Sequence, residues 1–491
     1  MSADAVAATP RDRVRPRAVP TLTDRLQRWA IATIPIATAA LAFVWYLRAE
    51  LHRMYGMTSP AWDFAYDQQI IYNVSIGQGF YSSFARANFL GIHFELIFVV
   101  LAAVEKLWPN PAVLLIFSSA GLAATAPAAY LFFRSIVPEN RAASPWMAVG
   151  LAAPIPFWAA TQEAALDFFH PENMALALAL FAAWAGIRGH RVAMWVLLVL
   201  VLTCKEDQIY TVGVIGLLMA AYGAPAVKKH WRFIVYLSGA WFLVCIVGLQ
   251  TYFRAGGYSD FVYYGWLFMH PTPHAVLNAL LRPEALLVVA GVIAGMGALP
   301  LLAPRWFLLV IPPYLADVLS AHTFERVIEN HYVLILMFPL LVAGGVGARN
   351  LLLRFSLQPA AALAVMLPAL ILAFGTGRFP PMLVTDSPGE YLRPDSLAEL
   401  RTATSMISPD ACVSADPGLT VWLANRHGIN DFPDHLEAAC YIVIERGAYL
   451  SGPTTSFKRQ DGLDSLSASG RRILYDNGRF QVWSPVSPPA A

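Results

Sequence analysis

The sequence predicts a mainly α-helical membrane protein: a polytopic bundle of about 11 spans, N-terminus inside and C-terminus outside, ending in a small extracytoplasmic α/β domain. Three observations carry this. The 491 residues are 57% hydrophobic, with mean hydropathy +0.52. Only 13% are charged, about half the ~25% of soluble globular proteins, too few to cover a water-facing surface of this size. The charges are also sorted along the chain, with basic residues in alternate connections. A net charge of +2 argues against a nucleic-acid partner, and four cysteines are too few for a disulfide-built scaffold.

Taken in order, residues 1–28 hold six arginines and form a basic cytoplasmic tail. The apolar run Trp29–Leu47 follows without a small-residue cleavage site, so it reads as a signal anchor rather than a cleaved peptide. The membrane domain extends over 29–375, with further apolar runs near 112–133, 144–160, 172–187, 191–204, 207–223, 232–253, 284–303, 306–321, 331–348 and 357–375. Within a first outer loop of about 49–111, the stretch 89–108 is apolar but carries His93, Glu95, Glu105 and Lys106. If it lies along the interface without crossing, Arg134 and Arg141, Arg188 and Arg191, Lys228, Lys229 and Arg232, Arg305, Arg349 and Arg354 all fall on the cytoplasmic side. That is the clustering the positive-inside rule requires. Crossing would turn every later basic loop outward. Residues 376–491 hold 23 charged positions of 116, close to a soluble composition, and form the C-terminal domain.

Polar groups near a membrane core cost about 2.5–3.5 kcal/mol each at its centre and so need a partner or a task. Here they gather in five outer segments. In Trp62-Asp63-Phe64-Ala65-Tyr66-Asp67, a helix would put Asp63 and Asp67 on one face at i, i+4 spacing. Two carboxylates so placed repel unless one binds a proton or both hold a cation; a solvated loop helix is the plainer alternative. His93 and Glu95 open the interfacial stretch, where a histidine is more often structural than a ligand. Asp167, His170 and Glu172 flank Pro171 at the start of a span, and Asp167 is a natural N-cap. Lys205-Glu206-Asp207 interrupts an apolar run too long for one span and suits the outer tip of a tight hairpin. A lysine on that side needs an anion, either a carboxylate such as Glu206 or Asp167, or a ligand phosphate. Glu325, Arg326, Glu329 and His331 precede a late span, with Arg326 a second outer cation. No Walker loop, GxSxG elbow, HExxH helix or zinc-type cysteine pair is present.

Asp63 to Asn73 (DFAYDQQIIYN), Phe89 to Glu95 (FLGIHFE), Asp167 to Glu172 (DFFHPE), Lys205-Glu206-Asp207, Pro300 to Trp306 (PLLAPRW) and His331-Tyr332 resemble, in order and spacing over roughly 60–350, the membrane proteins of domain-of-unknown-function family 2079. Glu95 departs from that pattern, which has serine followed by proline there. The family in turn looks like a branch of the GT-C glycosyltransferases, multispanning enzymes that use polyprenyl-phosphate sugars. The resemblance implies a GT-C-like bundle in a bacterial cytoplasmic membrane and a cell-envelope enzyme that transfers a hexosyl or pentosyl group to a glycan, lipid or protein acceptor. It makes Asp63 or Asp67 the general base and Lys205, with Arg326, the cations that neutralise the departing lipid phosphate. His93, His170 and His331 would bind sugar or phosphate, beside Glu95, Asp167, Glu172 and Glu206. Some members of the superfamily use a divalent metal such as Mg or Mn, for which Asp63 and Asp67 could supply oxygens.

In the C-terminal domain, Ala411–Ala415, Tyr441–Ile444 and Phe480–Trp483 read as strands and Asp395–Met406 as a helix. Cys412 and Cys440 begin two of these strands and either pair outside the cytoplasm or stay as free thiols. The domain shows no catalytic constellation of its own and is expected to bind acceptor or act as a lid. Two other functions fit the same composition: a transporter or flippase of a lipid-linked substrate, or an inactive relative serving envelope assembly. A transporter is expected to show internal repeats and ionisable groups near the midplane; no repeat is found, and Asp317 is the lone acid deep in a late span.

Overall fold

The computed structural model describes residues 22–254, 260–269, 271–322, 325, 331–376, 395–434, 436–447 and 453–486. Most of the basic tail, together with Arg326 and Glu329, lies outside these residues.

Helices dominate because lipid offers a backbone no partner, so each N–H and C=O must bond within its own segment. The first nine are α1 (Leu22–Tyr55), α2 (Tyr66–Ser75), α3 (Ile97–Leu107), α4 (Ala112–Ile136), α5 (Ser144–Ala152), α6 (Ala159–Leu166), α7 (Glu172–Arg188), α8 (Arg191–Cys204) and α9 (Ile209–Tyr222). α4 packs between α1 and α7, α8 lies against α7, and α9 lies beside the helix Trp231–Trp241. Gly121 lets α4 meet the start of α7, since a Cβ there would fall 2.5 Å from the Asn173 carbonyl oxygen. Lys205 is extended and a 3-10 turn spans Glu206–Gln208, so the triplet stands at the α8–α9 tip as expected.

Among the described residues, five segments are long and apolar enough to cross a membrane: Ile31–Tyr55, Ala112–Ile136, Trp231–Phe253, Pro273–Gly295 and His331–Arg354. The other expected spans are shorter or broken. α8 and α9 have 14 residues each, a rise of about 21 Å against a hydrocarbon core of ~30 Å. The run at 144–160 stops after Ala152, where Pro154 and Pro156 leave only a 3-10 turn at Ile155–Phe157. Pro304, Pro312 and Pro313 divide 306–321 into the short pieces Pro304–Phe307, Leu308–Val310 and Ile311–Leu319. α3 has 11 residues, about 16 Å, too short to cross.

The charge sorting of the sequence is also a sorting in space. Arg349 donates to the Ile136 carbonyl at 2.9 Å and lies 5.8 Å from the Tyr222 ring, Arg141 reaches Ser356 at 3.4 Å, and Arg188 meets Glu139 at 3.6 Å. The far ends of α4, α7, α9 and the His331–Arg354 segment therefore share one basic end. Their opposite ends converge on the acidic segments.

There a short hairpin, β1 (Tyr81–Ser82) and β2 (Ala87–Asn88), leads to a 3-10 turn at Phe89–Gly91, which Asn88 caps by accepting from the Leu90 N–H. The C-terminal domain is a five-stranded sheet of order β4-β3-β5-β7-β6, comprising β3 (Val413–Ala415), β4 (Ile429–Asp431), β5 (Tyr441–Glu445), β6 (Ile473–Asp476) and β7 (Phe480–Trp483). β3 is parallel to β4 and β5, with Val413 opposite both Ile429 and Tyr441; β7 is antiparallel to β5 and β6. The helix Ser396–Thr404 falls where the sequence placed one. Val413, Leu419, Val443 and Phe480 share one apolar core with Phe64, Ile70, Phe89 and Phe98 of the first loop. Gly418 permits this docking, because a Cβ there would collide with the Met57 carbonyl at 1.7 Å. Cys412 and Cys440 form a disulfide, while Cys204 and Cys245 are buried thiols.

Candidate active site

The DFAYDQQ segment is not one helix. In Ala61–Ala65 the chain kinks, with Trp62 extended and Asp63 at φ +69°, ψ −76°, close to the strained γ-turn that L-residues rarely adopt. α2 starts only at Tyr66, so the common face expected for Asp63 and Asp67 does not form. Asp63 is exposed on the kink; Asp67 is buried in the first turn of α2. Burial holds the Asp67 carboxyl well above the usual carboxylate range, against the pull of His170 and His93 and with the push of Asp63 and Glu172. Glu95 is buried nearby and is raised for the same reason, with Asp67 and Glu172 adding to the shift.

Asp167 follows α6 and does not cap α7. Its Oδ2 instead meets His331 Nδ1 at 2.7 Å and His170 Nε2 at 3.4 Å. Burial opposes the charge on Asp167, but the close approach of His170 and the hydrogen bond from His331 outweigh it and hold the carboxyl far below its usual range. Burial likewise opposes the charge on His170, yet Asp167, Asp63 and Glu172 carry its imidazolium up to about 9. The His170 and His331 rings stack with centroids 3.5 Å apart. The backbone is bent to bring them there: Phe168 has φ +65°. Asn173 donates to the Phe168 carbonyl at 3.1 Å, and Arg53 donates to the Leu166 carbonyl while lying over the Phe168 ring at 4.2 Å.

Lys205 is buried, paired with Glu172, and lies 4.9 Å from the Tyr332 ring centroid. Neither of the pairs weighed from sequence, Lys205–Glu206 or Lys205–Asp167, forms. Glu206 instead accepts from His93 at 2.9 Å and from the Phe94 N–H at 2.8 Å. Burial opposes the Glu206 charge, and His93 with Lys205 overcomes it, lowering that carboxyl. Burial pushes Asp207 up to about 7, against the pull of Lys205.

One end of the bundle thus brings together Asp67, Glu95, Asp167, His170, Glu172, Lys205, Glu206 and His331, with His93 at the rim and the exposed Asp63 within electrostatic reach of His170 and Asp67. Three features had no role from sequence. Tyr332 faces the Lys205 cation. A small cavity of about 10 Å³, room for a single water, is lined by Val288, Tyr314, Asp317, Glu325 and Leu336, and its Asp317 lies within electrostatic reach of Lys205 and Asp207. A polar clamp joins loop to sheet domain: Gln68 donates to Glu105 at 2.9 Å and to Asn425 at 2.7 Å, and Asn425 donates to Glu105 at 2.9 Å. The consecutive glutamines of the apolar α2 were its visible signal.

Asp167, His170 and His331 each offer a ligand atom within 4.8 Å of the other two. Cys412, Glu437 and Cys440 are similarly close, but both sulfurs are committed to the disulfide. Asp63 and Asp67, the oxygen pair considered for Mg or Mn, are divided between an exposed kink and a buried turn.

Among solved structures, the chain is similar to ArnT from Cupriavidus metallidurans in the apo state, at 12% identity over 94% of this chain and 98% of that one, with a TM-score of 0.49. It is similar also to that protein bound to undecaprenyl phosphate, at 12% identity over 93% and 98%, with a TM-score of 0.45. No curated protein matches the sequence. The family described as predicted membrane protein (DUF2079) matches residues 53–450, a stretch that begins near the end of α1, includes every residue of the cluster and reaches into the sheet. The chain belongs to the DUF2079 family of predicted membrane proteins.

Proposed function

We propose that this protein is a GT-C-type glycosyltransferase, moving a sugar from a polyprenyl-phosphate donor to a glycan, lipid or protein acceptor at the outer face of a bacterial cytoplasmic membrane. One observation carries the reading: a buried, mutually coupled ionic cluster at the end of the bundle opposite the basic connections. A site there meets lipid headgroups, and the outer face offers no nucleotide sugar. Asp67 is the general base. In its ionised form it takes the acceptor hydroxyl proton, and the oxygen attacks the anomeric carbon as the bond to the phosphate oxygen breaks. Lys205, with Arg326, neutralises the departing polyprenyl phosphate, moving from Glu172 towards the new anion. His93, His170 and His331 bind donor phosphate or sugar, and Glu95, Asp167, Glu172 and Glu206 hold these cations in place. The Cys412–Cys440 disulfide supports an oxidising, extracytoplasmic setting for the sheet domain. The test is transfer of labelled sugar from a panel of hexosyl and pentosyl polyprenyl phosphates by purified protein in lipid vesicles. Transfer from one donor is expected. Neither transfer nor donor binding across the panel would refute the reading.

A further inference from the structure

Apart from the proposed base, the cluster holds a close meeting of Asp167, His170 and His331. These residues come from three places, the end of α6, the approach to α7 and the start of the last long span, yet their ligand atoms all lie within 4.8 Å of one another. The two imidazoles lie face to face at 3.5 Å on the same carboxylate oxygen. Both histidines are more than nine-tenths buried, at 5% and 4% exposure. His170 Nε2, the atom aimed at Asp167, lacks a hydrogen-bond partner among the described residues, as does Glu172 Oε2.

Metal–ligand bonds of about 2.0–2.1 Å in a tetrahedron place ligand atoms roughly 3.3 Å apart. The separations from Asp167 Oδ2, 2.7 Å to His331 Nδ1 and 3.4 Å to His170 Nε2, bracket that spacing. Glu172 Oε1 stands 3.6 Å from the other nitrogen of His331 and is itself paired with Lys205. From there Glu172 is placed to orient His331, the part a carboxylate plays beside a ligating imidazole.

We propose that Asp167, His170 and His331 form a binding site for a divalent transition metal of the zinc type, with Glu172 orienting His331. Two imidazoles and one carboxylate select zinc, or cobalt in its place, over magnesium, which prefers oxygen ligands alone. Three protein ligands leave a fourth position for water or a substrate oxygen. The site stands on its own geometry and does not depend on glycosyl transfer.

The test uses the full-length protein in detergent, freed of affinity tag and stripped with chelator, then titrated with Co²⁺ and Zn²⁺. The expected result is saturable binding of one equivalent, with visible Co²⁺ bands, outcompeted by Zn²⁺ and not by excess Mg²⁺. His170→Gln and His331→Gln should lose that equivalent, Glu172→Gln should bind about 10–100-fold more weakly, and His93→Gln should bind as wild type. Zinc-edge X-ray absorption of the wild type, showing two imidazole nitrogens, decides the matter without any variant should the histidine variants not fold. No saturable binding, a zinc shell without imidazole, or undiminished binding in folded His170→Gln and His331→Gln would overturn the proposal. Because the readout is metal bound, failure of the transfer reaction leaves it standing, and loss of the metal leaves the transfer reaction to be judged separately.

Discussion

At one end of the bundle Arg188 and Glu139 face each other at 3.6 Å with 54% and 59% of their side chains exposed; at the other Lys205 and Glu172 pair with 7% and 4% exposed. The chemistry of the two contacts is the same, but their energetics are not. An exposed pair contributes about 0–1 kcal/mol and is screened by salt. A buried pair carries a desolvation penalty of several kcal/mol per ion, and hydrophobic replacement of both partners is often neutral or stabilising. The basic end gathers Arg and Lys from alternate connections, the clustering that the positive-inside rule describes. The acidic end has no such account. Its carboxylates and histidines are buried, mutually coupled and held by a strained backbone, which favours a functional reason for keeping them.

The comparison breaks most visibly through Lys205. Lys205→Met leaves Glu172 buried without its cation and should destabilise the protein by about 3–5 kcal/mol, read as a large drop in melting temperature in detergent. The double variant Lys205→Met/Glu172→Gln should recover most of that loss. A cost below about 1 kcal/mol, as expected for an exposed pair, would erase the distinction between the ends.

A smaller effect should come from Gly121→Val. The added side chain meets the Asn173 backbone and should cost about 1–3 kcal/mol by overpacking, while pushing the start of α7, and with it Glu172, out of register. If the acidic end depends on that close approach, transfer should fall further than the melting temperature suggests. A loss of stability with transfer intact would separate helix packing from the site.

The two ends should also respond differently to pH, since guanidinium groups do not titrate in the accessible range and Asp67 does. Burial raises Asp67, with Asp63 and Glu172 adding to it and His170 and His93 opposing. As a base it works ionised, so transfer should fall about tenfold per pH unit once pH drops below its raised pKa. Stability moves the other way. A carboxyl raised above its unfolded value binds more protons in the folded chain, so its contribution is complete below the unfolded pKa of about 3.9 and is lost as pH rises through the folded one. Asp67→Asn should remove both dependences, measured as pH profiles of transfer and of melting. The smallest effect belongs to Arg188→Ala, within about 1 kcal/mol and weaker in high salt.

Much of this contrast was readable in the sequence. Sorting Arg and Lys by loop anticipated the basic end, alternation anticipated β3, β5, β7 and the helix Ser396–Thr404, and an interrupted apolar run anticipated Lys205 at the α8–α9 tip. What sequence could not supply was pairing at a distance. Glu172 is 33 residues from Lys205, and Asp167 is 164 from His331, and nothing in the sequence favoured Glu172 over the weighed partners Glu206 and Asp167. The kink at Asp63 was equally hidden, because Trp62-Asp63-Phe64 has no glycine or proline to announce a positive φ. Hydropathy alone also overstated the number of full-length helices, since it does not weigh the prolines at 154, 156, 304, 312 and 313.

The central claim, that the buried acidic end is a catalytic site with Asp67 as its base, is tested most directly by comparing sugar transfer from polyprenyl phosphate in wild type, Asp63→Asn and Asp67→Asn at equal folded concentration. The account predicts a loss of about 10²–10⁴-fold in Asp67→Asn, with donor binding retained and a smaller loss in Asp63→Asn. Undiminished transfer by Asp67→Asn would contradict it.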